Sequence, residues 1–372
     1  MKIVGLEACT AVIPLKRPAT FATRVVRERH FCLVRARRED GIEGLGYCYV
    51  GSRAGRLATL AVRELLRDSV VGHDSEQTER IWEAMYREAL LQGRGGLVLR
   101  AMSAIDNALW DANAKAAGLP LYQYLGAHRK GTVPTYASGG YYTQSATPSE
   151  LAQEVEGYLK KGFRAVKVKV GRLSPREDAV RLEAARSAIG PEVQLFLDAN
   201  NAWSDAPTAI AAIRAFEPYA PGWIEEPVMP DEVDMMAAIA QAVDTPVATG
   251  EIDYGRWAFK RLLDAGAASI LQPDLGVCGG VTEWRRIAAL AAAHGVPVAP
   301  HSRQESHVHL VASTPNATWL EYFPDDSITN ISRVFKTGLE IKDGEAVIPD
   351  RPGFGIELDE EALAAYSVDG WG

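Results

Sequence analysis

Two periodicities divide the chain. Up to about residue 50, apolar and polar positions alternate with the period of two that marks β-strands. The alternation predicts strands over residues 2–13, 30–38 and 44–50. The last two are joined by Glu39-Asp40-Gly41-Ile42-Glu43, whose Asp-Gly pair is a hairpin signal. Apolar residues then recur at spacings of three and four over 56–67, 76–91 and 97–117, the pattern of amphipathic helices. Gly118-Leu119-Pro120 stops the third helix. Strands followed by helices describe an α+β domain.

From about Val133 short apolar runs alternate with helical stretches. Strands are predicted over 133–137, 165–170, 194–198, 222–225, 247–249, 269–272, 296–299 and 318–321. Helices are predicted over 148–161, 175–189, 206–216, 232–243, 254–265 and 282–294. Such repetition requires parallel strands, and about eight of them suit a closed (β/α)8-type barrel. A doubly wound open sheet is the alternative, but no G-x-G-x-x-G follows a first strand. The tail from about Ser332 carries a short strand over 344–348 and a loop over 349–353. It is expected to return to the N-terminal domain.

The run Ala165-Val166-Lys167-Val168-Lys169-Val170 changes the picture. Residues two apart in a strand share a face, so both lysines point into the barrel and the valines face the helices. A barrel interior is normally apolar, and ammonium groups there need negative partners. The neighbouring strands supply them. From Lys169, successive strands end at Asp198, Glu225, Glu251, Asp274, His301 and Glu321, spaced 20–29 residues apart, one repeat each. Barrel active sites gather at that end of the strands. Asp198, Glu225 and Glu251 together suit a hard cation, with Mg²⁺ the natural choice and zinc disfavoured. Glu226 adjoins Glu225, but adjacent strand positions face opposite ways, so one of the two is the expected ligand.

Composition narrows the class. The chain has 372 residues, a net charge of −8 and a pI near 5.5, which argues against nucleic-acid binding. Arginines cluster at Arg24, Arg27 and Arg29 and at Arg35, Arg37 and Arg38, and read as solvated charge. Cys9, Cys32, Cys48 and Cys278 form no CxxC pair, and reduced thiols fit a cytoplasmic enzyme. No apolar run is long enough to span a membrane. Gly276-Val277-Cys278-Gly279-Gly280 reads as a glycine turn before a helix rather than a phosphate cradle, and His307 and His309 read as packing residues.

The K-x-K, D-x-N, E-E-P, G-E, P-D and P-H-S signals, in this order, resemble the enolase superfamily and within it the mandelate racemase subgroup. The resemblance implies a modified (β/α)7β barrel over about 129–328, an α+β capping domain over 1–128, and a tail over 329–372 that completes the cap. It implies Asp198, Glu225 and Glu251 as ligands of one Mg²⁺, Lys169 as one acid/base, and His301 paired with Asp274 as the other. Lys167 and Glu321 would hold the substrate carboxylate, with Asn200 beside them. A homo-oligomer is expected from the resemblance alone.

The implied chemistry is removal of the proton α to a carboxylate, the superfamily's known pattern. The resulting enediolate needs positive charge, from Mg²⁺ and Lys167, and a hydrogen bond from Glu321 if that carboxyl is protonated. Lys169 must be neutral to act as a base, and Lys167 and the metal are expected to lower its pKa. Two proton carriers on separate strands allow racemisation, or dehydration when the second protonates a departing β-hydroxyl. Cycloisomerisation through the same intermediate is a further alternative. The capping-domain loops over 17–24 and 50–56 are rich in threonine, serine and arginine, which favours dehydration of a hydroxylated acid sugar. Arg24 or Arg53 could clamp a distal carboxylate.

Overall fold

The N-terminal strands run further than their apolar pattern extends. In the computed structural model, which describes residues 1–143, 147–326 and 328–372, they are β1 (Ile3–Thr20), β2 (Val25–Arg38) and β3 (Glu43–Gly51), an antiparallel sheet in that order. The β1–β2 register runs from Ile3 opposite Arg38 to Thr20 opposite Val25, broken between Pro14 and Ala19. Around that break the residues are charged (Lys16, Arg17, Arg27, Glu28 and Arg29), so alternation fades there while backbone pairing resumes beyond it.

Helix α1 (Gly55–Leu60) widens into a π-helical turn over Ala61–Leu66, and α2 (Thr78–Glu88) and α3 (Gly96–Ala116) follow. The sheet lies directly on α3. A Cβ at Gly44 would stand 1.9 Å from Ala108 O, and one at Gly46 would stand 2.0 Å from Ala104 O. Only glycine permits that approach. The other side of α3 meets the barrel. Asp106 accepts hydrogen bonds from the Thr282 N–H and hydroxyl at 2.8 and 2.6 Å, and Trp110 Nε1 donates to Thr282 Oγ1 at 2.8 Å.

After α4 (Leu121–Tyr124) and β4 (Thr132–Val133) the barrel begins. It comprises β5 (Thr135–Ser138), α5 (Pro148–Lys160), β6 (Ala165–Lys169), α6 (Pro175–Ile189), β7 (Gln194–Asp198), α7 (Ala206–Phe216), β8 (Pro221–Glu225), α8 (Val233–Ala242), β9 (Val247–Thr249), α9 (Gly255–Asp264), β10 (Ile270–Leu271), α10 (Gly280–Ala293), α11 (Gln304–Ser313) and β11 (Leu320–Tyr322). The parallel sheet has the order β10-β9-β8-β7-β6-β5-β11. The strand predicted over 296–299 survives only as parallel bridges from Val298 to Leu271 and to Ala317. Pro297 and Pro300 flank it and have no N–H to donate, which keeps it short. Those bridges link β10 to β11 and close the ring. With α11 as the seventh barrel helix and β11 as the last strand, the architecture is a (β/α)7β barrel, and the open-sheet alternative falls.

Two barrel helices begin with reciprocal capping boxes, Thr147 with Glu150 and Ser174 with Glu177, each followed by proline. Ser174→Ala should lower the unfolding free energy by roughly 1 kcal/mol. Denaturant melts would show it, and an unchanged midpoint would rule it out.

The barrel interior is layered. Ala165, Phe196, Trp223 and Ala299 each precede a charged residue by two positions, and with Tyr136 and Ala248 they form an apolar floor. Phe196 and Trp223 stack with centroids 3.5 Å apart. The charged residues therefore stand on a dry plug.

The tail divides. Ile331, Val334, Phe335 and Leu363 of α12 (Glu360–Tyr366) pack on Cys9, Ala11, Ile13 and Phe31 of the N-terminal sheet. The strand expected over 344–348 goes elsewhere. It forms β13 (Glu345–Val347), which with β12 (Ile341–Lys342) pairs antiparallel to β4 beside the barrel. Among the described residues no helix is long and apolar enough to cross a membrane, and all four cysteines are free and buried.

Candidate active site

Parallel register carries the charged residues to one level. Lys169 lies beside Asp198 across β6–β7, and Asp198 beside Glu225 across β7–β8. Asp198, Glu225 and Glu251 are buried, and each offers an oxygen within 4.8 Å of the others. Lys167 Nζ lies 2.9 and 2.8 Å from the two oxygens of Glu225 and 2.8 Å from Glu321 Oε1. Lys169 pairs with Asp198. Asn200 donates its backbone N–H to Asp198 Oδ1 at 2.9 Å, and its own Oδ1 is buried without a partner. Gln272, which the sequence reading passed over, donates to Glu225 Oε2 at 2.7 Å.

His301 follows the Val298 bridge. Its Nδ1 is 3.1 Å from Asp274 Oδ2 and its Nε2 is 3.3 Å from Glu251 Oε2. Asp274 Oδ1 accepts from Arg303 Nε at 2.5 Å and from the Gly276 N–H at 2.7 Å. Around the ring, β5 and β11 separate the lysine strand β6 from the His301 position on one side, and β7 to β10 separate them on the other. Lys169 and His301 both line one cavity under the β1–β2 hairpin. Arg24 lines it too, but Arg53 is exposed and does not.

Neighbouring charges act on Lys169, Glu321 and His301. Burial, the largest single effect, pushes the Lys169 ammonium toward neutrality and Lys167 adds to that push, but Asp198, Tyr141 and Glu225 together hold its pKa above the usual lysine range. Glu321 could donate a hydrogen bond only if its carboxyl were protonated. Burial favours its neutral form, yet Lys167 and His301 hold its carboxyl well below the usual range, and its Oε2 accepts from the Ser302 N–H at 2.7 Å. It is an acceptor here. Burial also works against charge on His301, but Glu251 and the Asp274 hydrogen bond raise it to about 9.

A divalent cation fits this donor set. Asp198, Glu225, Glu226, Glu251, Asp274 and Glu321 are buried carboxylates, faced by Lys167, Lys169, Arg303 and His301. With all six ionised and the imidazole protonated, two negative charges would be in surplus, the charge of one Mg²⁺; burial and the neighbouring carboxylates accordingly push Glu225 and Glu226 well above the usual carboxylate range. Hard oxygen donors on neighbouring strands suit it. Glu226 sits next to the triad with φ +43° and neither oxygen partnered, and the triad takes Glu225.

The features discounted earlier are structural. His307 bonds to Ser302 O and the Leu275 N–H, and His309 to Phe354 O and the Tyr122 N–H. The glycine turn is tied to α3, with the Gly279 N–H on Ser103 Oγ and the Val281 N–H on Asn107 Oδ1.

Residues 5–126 match the N-terminal domain model of the mandelate racemase / muconate lactonizing enzyme family, and residues 150–362 match the enolase C-terminal domain-like model. The chain belongs to the mandelate racemase subgroup of the enolase superfamily. Relatives of this subgroup include L-talarate/galactarate dehydratase of Salmonella typhimurium, 35% identical over 97% of this chain and 90% of the relative. A 3,6-anhydro-alpha-L-galactonate cycloisomerase of Streptomyces coelicolor is 34% identical over 96% of this chain and 97% of the relative. Among solved structures, a Streptomyces coelicolor racemase with bound magnesium superposes with a TM-score of 0.93 at 34% identity, covering 98% of this chain and 100% of that one. A form of the L-talarate/galactarate dehydratase liganded with Mg and L-glucarate superposes at 0.92 and 33% identity, covering 100% of this chain and 93% of that one. This subgroup member is thus an enolase-superfamily enzyme with a magnesium-binding carboxylate triad.

Proposed function

We propose that the protein dehydrates an acid sugar, an aldonate or aldarate, to a 2-keto-3-deoxy acid. The observation that carries this reading is the meeting of Lys169 and the His301–Asp274 pair, from separate parts of the ring, in one cavity beside the carboxylate triad. Asp198, Glu225 and Glu251 would hold Mg²⁺, which when bound stabilises negative charge on carboxylate oxygens as a Lewis acid. Lys167 faces the same level and neutralises the substrate carboxylate. Glu321 and the Ser302 N–H fix Lys167 and the turn after His301. Asn200 Oδ1 is free to accept from a substrate hydroxyl.

One proton carrier takes the α-proton, and the C–H electron pair moves into the carboxylate. The other donates a proton to the β-hydroxyl, the C–O bond breaks, and water leaves. The enol product tautomerises to the keto acid. Which group acts first follows the configuration at the α-carbon. Asp274 holds His301 Nδ1, so Nε2 is the nitrogen left to face the cavity. Dehydration is also the reaction named for several relatives, including arabinonate and D-galactonate dehydratases, each 31–33% identical.

A panel of aldonic and aldaric acids, assayed for keto product with and without Mg²⁺, tests the reading. At least one acid should give metal-dependent keto product. Solvent deuterium entering the α-position with no loss of water would instead favour racemisation. Ring opening or closure of a lactone or anhydro sugar would favour cycloisomerisation, which D-galactarolactone cycloisomerase, a 33% identical relative, carries in its name.

A further inference from the structure

The cavity has a second charged end that the sequence reading dismissed as solvated. Arg29 reaches it from β2, on the capping side, facing the barrel groups Lys169 and His301. Its guanidinium is anchored twice. Nε donates to Ile328 O at 2.7 Å, and the group lies over the Tyr49 ring, 4.9 Å from the centroid. Among the described residues it makes no ion pair, although carboxylates are plentiful below it. With Nε occupied, the two terminal nitrogens remain as the donating edge, and they are the pair that matches a carboxylate fork. Arg24, exposed at the hairpin turn, adds a second cation to the same rim. Tyr141 stands between the two ends. Its ring is 5.0 Å from Lys169 Nζ, and its hydroxyl feels both Lys169 and Arg29.

We infer that Arg29 binds a second carboxylate at the far end of the substrate, so that the preferred substrates are dicarboxylic sugar acids rather than aldonates. This rests on the acid-sugar reading above. One carboxylate belongs at Lys167 and the triad. A rigid, half-buried guanidinium without a counterion then waits at the opposite wall. A hydroxymethyl terminus would leave that cation unpaired, whereas a carboxylate would complete it. Arg53, the alternative suggested by the sequence, has no access to the cavity.

The test compares hexaric and hexonic acids matched in pairs by configuration, with magnesium-loaded protein. For the best pair, kcat/KM should favour the diacid by roughly ten- to a hundredfold, the range for a charge-assisted hydrogen-bonded pair. Arg29→Met should erase most of that preference, and Arg29→Lys should keep part of it. Calorimetric titration with the same pairs gives an independent readout, in which the diacid binds tighter and the advantage is lost in Arg29→Met. If hexonic acids match or exceed their diacids, or if Arg29→Met weakens both members of a pair equally, the inference is overturned while the dehydratase reading stands. If no acid is turned over, the dehydratase reading fails, and the calorimetric preference still decides for or against Arg29.

Discussion

Lys169→Met should cut kcat by roughly 10²–10⁴, the usual contribution of a positioned acid or base, with a smaller change in substrate binding. Methionine keeps much of the hydrocarbon stem between Phe21 and Tyr141, whose ring centroids lie 5.4 and 5.0 Å from Nζ, so the cavity wall is preserved. What is lost is the proton carrier on one flank. His301→Asn should cost a comparable factor from the other flank. The double variant should be little worse than the poorer single one, because the two groups serve one reaction. Proton NMR of the α-position in D₂O separates the flanks, since exchange catalysed from one side survives loss of the other. Metal-dependent turnover left intact in Lys169→Met would sink the assignment of that lysine.

Stripping the divalent ion should abolish turnover and lower thermal stability together. Without the ion, the triad oxygens within 4.8 Å of one another are opposed only by Lys167, Lys169 and His301. Those cations are then spent on enzyme carboxylates. The Lys169 ammonium in particular is held protonated by Asp198. A divalent ion on Asp198 competes for that charge and frees the amine for proton transfer. Saturating Mg²⁺ at a hundred times its dissociation constant should add about 2.7 kcal/mol to the unfolding free energy. Scanning calorimetry with chelator and with Mg²⁺ measures this. Glu251→Gln should lose most of the shift. Identical melting curves and identical rates in chelator would remove the metal from the account.

The chemistry was legible because barrel geometry writes it into sequence at fixed places. Each charged residue ends a strand, and at Lys167, Asp198, Glu225 and His301 the residue two positions earlier is an apolar floor plug. A period of two and a repeat of one strand–helix unit were enough to find the ring. What stayed hidden depends on contacts between distant segments. Arg29 sat in a charge-rich run where alternation fails, and it is the long pairing of β1 with β2, with Ile13 opposite Arg29, that brings it over the barrel. The pairing of β13 with β4 joins segments over 200 residues apart, and nothing local encodes it. The strand at Val298 was overestimated because its apolar pattern is intact while its flanking prolines limit the ladder. The directions of the Lys169 and Glu321 shifts follow from burial and from which partners each group touches, not from residue type, and those contacts are not written in the local sequence.

The β1–β2 hairpin and the barrel ring are built from separate stretches of chain, and they meet around the cavity mouth, where Ala19, Phe21 and Val26 pack with Tyr141, Phe323 and Ile328. The tip is tied to the barrel rim by single links, such as the Thr23 hydroxyl on Asn200 O and Arg172 on Phe21 O. Recognition and bond-breaking can therefore be edited independently. A directed-evolution campaign confined to some twenty residues of that hairpin would explore new substrates while the inherited proton machinery stays untouched.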